Sequence, residues 1–166
     1  MPTTRHNTVA VTVLYVCTGN TCRSVLAEGY TKRLIMDEGF KRLTALSCGT
    51  AASVSYTVPG VVVRMLAKED IDVSMHVSTP VSRELIDASD IILVMDNSHK
   101  EALLYRFLDA RKKIHLLKEY AGEKENREIP DPIGQPENVY QERAEEIKKY
   151  VRIAFEIIRK DYPNGK

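Results

Sequence analysis

Apolar positions along the chain change period several times, and each change marks an expected element. The run from Val9 to Val16 is almost continuously apolar, as in a strand covered on both faces, and Leu43 to Ser47, Ile91 to Met95 and Lys113 to Leu117 read the same way. Between them apolar residues recur at helical spacing, which predicts helices near Arg23 to Glu38, Pro59 to Glu69, Ser82 to Ala88 and Asn97 to Phe107. The firmest pattern runs from Asn138 to Asp161, where Tyr140, Ala144, Ile147, Val151, Ala154 and Ile158 form one stripe suited to core burial. Strands alternating with helices predict parallel strands joined by right-handed crossovers, hence a single α/β domain. The charged stretch Glu119 to Glu128 reads as a solvated loop, and the polar start, residues 1–8, as a flexible N-terminal tail.

Composition narrows the function classes without choosing one. The chain has 166 residues, 43% of them apolar, enough for one buried core. A net charge of +1 gives no electrostatic basis for binding nucleic acid or a membrane surface. No apolar run approaches the length of a membrane span. Three cysteines and no recognisable secretory segment predict a reducing, cytoplasmic location.

One loop concentrates the chemistry. Cys17-Thr18-Gly19-Asn20-Thr21-Cys22-Arg23-Ser24 follows the first strand run and opens the first helical pattern. A strand, a tight loop and a helix in succession make an oxyanion cradle, because loop N–H groups and the helix N-terminus can converge on one centre. Cys17, among those donors and beside Arg23, is expected to act as a thiolate nucleophile. Arg23 offers a planar fork that matches two phosphate oxygens. Gly19 and Asn20 tolerate the positive φ that such a loop needs, Asn20 can brace the loop, and the Ser24 hydroxyl can donate to the sulfur. Thr18, Thr21 and Cys22 complete the expected phosphate-binding set.

Phosphoryl transfer through sulfur also needs an acid for the leaving group and a base for water. Asp131 is the candidate, in Ile129-Pro130-Asp131-Pro132-Ile133-Gly134, whose prolines exclude helix and stiffen the segment. An isolated Asp-Pro is ordinarily a turn; the nucleophile loop favours the catalytic reading.

These residues together resemble the low-molecular-weight protein tyrosine phosphatase family, which includes bacterial protein arginine phosphatases. The Cys-x5-Arg-Ser loop near the N-terminus and the Asp-Pro pair in the last third match that family. So do Ser47-Cys48-Gly49-Thr50, His76, Met95-Asp96 and Val139-Tyr140-Gln141. The likeness runs from about Val9 to Tyr162 and assigns 9–166 as the phosphatase domain. It implies a doubly wound four-stranded sheet in the order 2-1-3-4 with helices on both faces, and a phosphocysteine intermediate on Cys17. It also implies Arg23 as clamp, Asp131 as acid and then base, phosphorylated protein substrates, and neither metal nor cofactor; a monomer is expected. His76 is either a loop brace, towards Asn20 or Ser24, or an ordinary structural histidine. Asp96 is expected to support nearby loops rather than react. Val25 stands where many relatives have Pro, and Cys48, where they have Ala, is expected to be a small buried residue.

The substrate is either phosphoarginine or phosphotyrosine. Thr21 stands where the tyrosine enzymes of the family commonly carry Ile and the arginine enzymes carry Thr, and Leu117-Lys118-Glu119-Tyr120 also looks like the arginine branch. Ile133, after the Asp-Pro pair, cannot stack on a phenyl ring, although arginine enzymes usually have Phe there. These features favour phosphoarginine. Cys22 is either a redox partner that protects Cys17 by a reversible disulfide, as the resemblance implies, or simple loop packing. A zinc set of Cys17, Cys22, Cys48 and His76 is disfavoured by irregular spacing and by Arg23. Arsenate reduction lacks two further cysteines between Met95 and Phe107. A silent anion-binding module is disfavoured because nucleophile, clamp and acid are all present.

Overall fold

The computed structural model describes residues 10–163. The expected tail, residues 1–8, and the first residue of the expected first strand, Val9, lie outside the described residues. Strands β1 (Val11–Cys17), β2 (Leu43–Gly49), β3 (Ile91–Val94) and β4 (Ile114–Leu116) form one parallel sheet in the order β2-β1-β3-β4. The helices are α1 (Arg23–Glu38), α2 (Gly60–Ala67), α3 (Arg83–Ala88), α4 (Asn97–Arg106), α5 (Leu117–Tyr120) and α6 (Glu137–Asp161). The single α/β domain with order 2-1-3-4 is therefore the one expected.

The period-2 geometry of a strand explains why β1 is apolar at every position but Thr12. Val11, Val13, Tyr15 and Cys17 pack in one core with residues of α1 and α6, while Leu14 and Val16 pack in a second core with Ile86 of α3 and Leu103 of α4. β3 divides likewise, with Ile91 and Leu93 in the first core and Ile92 and Val94 in the second. The α6 stripe is buried, and Phe155 meets Phe40 edge-on with ring centroids 5.8 Å apart. Helix α1 ends at Gly39, whose φ of 65° closes the terminus and whose N–H bonds Ile35 O.

Several boundaries differ from the sequence reading. Ser82 is the cap of α3 rather than its first residue, its Oγ accepting from the Leu85 N–H at 3.3 Å. A 3₁₀ segment, Leu108–Lys113, precedes a fourth strand only three residues long, and Leu117 opens α5 instead of ending that strand. The segment Glu119 to Glu128 is thus not purely a solvated loop: Glu119 and Tyr120 close a helical turn, and Glu123 accepts from the Tyr150 hydroxyl at 2.9 Å. Periodicity fails here because these pieces are shorter than one amphipathic repeat. Among the described residues no helix is long and apolar enough to cross a membrane.

All four strands run the same way, but the order in which the chain lays them down changes direction between β1 and β3, and in open α/β sheets that is where a crevice opens beyond the strand ends. Cys17, the last residue of β1, lies there. The core beneath depends on large rings: replacing Phe155 by Ala is expected to cost about 3–5 kcal/mol of stability, read as a lowered urea midpoint with an unchanged slope.

Candidate active site

The loop after β1 is held from outside by its carbonyls. Cys17 O accepts from Thr50 N (2.9 Å), Thr18 O from Ala51 N (2.9 Å), and Asn20 O from both His76 Nε2 (2.8 Å) and Ser78 Oγ (3.0 Å). In a trans peptide the C=O and the following N–H point oppositely, and no described peptide is cis. The N–H groups of Thr18, Gly19 and Thr21 therefore face away from these anchors, towards the inside of the loop. Asn20 makes the reversal at φ 55°, while Gly19 is not in the positive-φ region, so the expectation for that glycine is corrected. A Cβ on Gly19 would only touch Thr21 Oγ1 and Tyr56 Cδ2, at 3.6 and 3.7 Å. Gly49 carries the steric demand instead: a Cβ there would lie 2.3 Å from Thr18 O. Only a bare backbone lets β2 approach the loop so closely.

A directed chain of hydrogen bonds ends at the sulfur. A carboxylate only accepts, so Ser47 Oγ donates to Glu28 Oε2 and receives Asn20 Nδ2 at 2.9 Å. The same Nδ2 donates to Ser24 Oγ at 2.9 Å, which leaves the Ser24 proton for Cys17 Sγ, 2.9 Å away. Asn20 Oδ1 accepts from Thr79 N at 2.9 Å, which fixes the amide orientation. Sequence reading placed Asn20, Ser24 and His76 here but missed Glu28, Ser78 and Thr79; their partners lie up to 59 residues away along the chain.

Arg23, only 3% exposed, joins three separate segments. Its Nη1 donates to Asp96 Oδ2 (2.8 Å) and Ile129 O (2.9 Å), and its Nη2 lies 3.3 Å from Asp131 Oδ2. Asp131 Oδ1 accepts from Ile133 N at 3.0 Å, a local turn that fixes the carboxylate. Asp96 also caps α4, as its expected supporting role requires. Burial opposes ionisation of Asp96, but hydrogen bonds from Ser98 and Arg23 outweigh it and hold the carboxyl below its usual range.

His99, missed in the sequence, completes this corner. Its Nδ1 accepts from Asp96 N at 3.2 Å, so Nε2 carries the proton and donates to Thr18 Oγ1 at 2.8 Å. Burial lowers the His99 pKa to about 4 against the opposing charge of Asp96. Cys22 caps α1 by position without a side-chain bond, and burial, then the charge of Cys17, pushes its thiol up to about 12. Cys48 is fully buried as expected.

Above the loop lies a cleft of about 580 Å³ lined by Thr18, Thr21, Tyr56, Asp131, Ile133 and Tyr140. Ile133 is over half exposed at its rim. The rings of Tyr56 and Tyr140 supply aromatic surface that position 133 lacks, and Tyr56 carried no sequence signal. Among the described residues no group of three or more His, Cys, Asp or Glu side chains is placed to hold a metal. A cavity of about 480 Å³ between α1 and α6 contains the ion pairs Arg33–Asp37 and Lys148–Glu69 and is lined by no cysteine.

A thiol at the strand end, outward-anchored loop carbonyls and a buried arginine flanked by carboxylates make up a candidate oxyanion site built around a cysteine. Residues 12–164 match the family described as low molecular weight phosphotyrosine protein phosphatase. The chain belongs to that family. It is 32% identical to a protein-arginine-phosphatase of Bacillus subtilis over 90% of this chain and 97% of the relative. It is 31% identical to the low molecular weight protein-tyrosine-phosphatase PtpB of Staphylococcus aureus over 88% and 98%. Among solved structures, the YwlE arginine phosphatase with a phosphorylated active-site serine superposes with a TM-score of 0.85 at 30% identity, covering 91% and 97%. A low molecular weight protein tyrosine phosphatase from T. tengcongensis gives 0.83 at 34% identity, covering 89% and 99%.

The His99 geometry has a pH signature. An unfolded histidine titrates near 6.5, so between about 4 and 6.5 the unfolded chain binds the extra proton. Stability should rise with pH through that window, be complete above it, and be lost as pH falls. The full contribution is about 3 kcal/mol. Urea unfolding of wild type and His99→Gln should show a difference that grows from pH 4 to 6.5 and then levels; a flat difference would refute the neutral assignment.

Proposed function

We propose that this protein is a protein phosphatase that works through a phosphocysteine on Cys17, with phosphoarginine as its preferred substrate. The carrying observation for the chemistry is Cys17 Sγ 2.9 Å from Ser24 Oγ, in a loop whose Arg23 lies 3.3 Å from the Asp131 carboxylate. The inward N–H groups of Thr18, Gly19 and Thr21 and the Arg23 fork hold the phosphoryl oxygens as the group flattens. The Cys17 thiolate attacks phosphorus while the bond to the leaving group breaks, and Asp131 gives that group its proton. Asp131 then takes a proton from water, the hydroxide forms the new P–O bond, and phosphate leaves as the thiolate is restored. Ser24 donates to the sulfur when it departs. Cys17→Ser should lower phosphate release on the order of a thousandfold or more, measured with an aryl phosphate; an unchanged rate rules out covalent catalysis through Cys17.

Cys22, held as a thiol by burial, does not compete as nucleophile. In the same reading it condenses with an oxidised, sulfenic Cys17, forming the disulfide and releasing water.

The preference for arginine rests on Thr21, whose hydroxyl borders the cleft where tyrosine members of the family carry an aliphatic side chain. A polar group there matches the N–H groups of a guanidinium and not a phenyl ring. Tyr56 and Tyr140 favour the second reading, a tyrosine phosphatase, because they can flank a phenol. Paired phosphopeptides at neutral pH separate the two; acid must be avoided because it cleaves the P–N bond. Thr21→Ile should lower kcat/KM for phosphoarginine about ten- to a hundredfold and spare phosphotyrosine. Equal or better phosphotyrosine turnover by wild type would overturn the arginine assignment.

A further inference from the structure

Lys118 lies outside the cleft, yet its side chain is only 3% exposed and fully engaged. Its Nζ donates to Glu146 Oε1 of α6 at 2.7 Å and reaches Glu128 O at 3.4 Å, while the Tyr150 ring lies 5.1 Å from it. Arg143 holds the other oxygen of Glu146 at 2.5 Å. The backbone of Lys118 also accepts from Glu123 N at 2.9 Å, so this residue closes the neck of the 119–128 segment. An ammonium is costly to bury, and an apolar side chain would fill the same space without that cost.

What the ammonium holds is the start of the segment that carries Asp131. Glu128 and Ile129 are gripped on every side: Glu128 Oε1 accepts from Asn97 N (2.8 Å), Ile129 N donates to Met95 O (2.8 Å), and Ile129 O accepts from Arg23. Beyond them Pro130 has a fixed φ and confines Ile129 to extended backbone, so 129–132 moves as a stiff lever. A shift at Glu128 is transmitted to the carboxylate three residues on.

We propose that Lys118, fixed by Glu146, is a positioning residue that sets the placement of Asp131 for proton donation to the leaving group. The inference rests on the assignment of Asp131 as that donor. A misplaced acid matters most when the leaving group is a poor one, so the signature is leaving-group dependence rather than a general loss of rate.

The test compares kcat/KM for phenyl phosphate and 2,4-dinitrophenyl phosphate in wild type, Lys118→Met, Glu146→Gln, Asp131→Asn and the double variant Lys118→Met/Asp131→Asn, with thermal melts of each. Lys118→Met and Glu146→Gln should lose about tenfold with phenyl phosphate and stay within about twofold with the dinitrophenyl ester. In the Asp131→Asn background the lysine change should add no further dependence on leaving group. Equal losses with both esters, or a lowered melting temperature with unchanged selectivity, would overturn the proposal. If Lys118→Met does not fold, the same outcomes in Glu146→Gln decide it. Should Asp131→Asn itself leave the dependence unchanged, the donor assignment fails, an outcome separate from failure of the lysine variants alone.

Discussion

A buried guanidinium sets the terms for the whole site. Arg23 sits at the first turn of α1 almost without solvent, and a charge so placed must be met by acceptors. The fold meets it with Asp96 from the end of β3, the Ile129 carbonyl and the Asp131 carboxylate. Satisfying one side chain therefore brings together three segments that are remote in sequence. The parallel sheet makes this convergence possible because β1 and β3 end side by side, at the point where the winding direction changes.

The elements and the nucleophile loop were legible because each is local. Continuous apolar runs marked the strands, helical spacing marked α1 and α6, and the strand-loop-helix order around Cys17 marked the cradle. The Arg23–Asp131 encounter was legible only through chemistry, since a sulfur nucleophile implies an acid somewhere. His99, Glu28, Ser78 and Thr79 were not legible. Their roles depend on where hydrogens point, and that follows from contacts across tens of residues that no periodicity records. Gly19 and Gly49 show the same limit in reverse: the loop glycine was expected to supply a positive φ and does not, while Gly49, in a strand, has no room for a Cβ beside the Thr18 carbonyl.

The cleft and its supports divide the labour. Residues that touch the sulfur are fixed by neutral hydrogen bonds and a single carboxylate, Glu28, whereas the segment bearing Asp131 is held by full charges on Arg23 and Lys118. The Cys17 sulfur thus sits in a frame of amides and hydroxyls with fixed directions. Asp131, the proposed acid, follows a segment held both by backbone hydrogen bonds and by charged side chains, and the charged contacts are less directional. In the proposed function, substrate discrimination falls to the layer above, where Thr21 and the two tyrosines line the cleft with different chemistry.

The wiring of Arg23 also has a consequence in time. The guanidinium is 106 residues upstream of the Ile129 carbonyl that completes it, and the brace from Thr79 to Asn20 spans 59. During synthesis Cys17 and Arg23 leave the ribosome long before the Ile129 carbonyl and Asp131 exist. A partial chain therefore carries the motif without the contacts around it, and the arrangement is complete only once the last third of the polypeptide has docked.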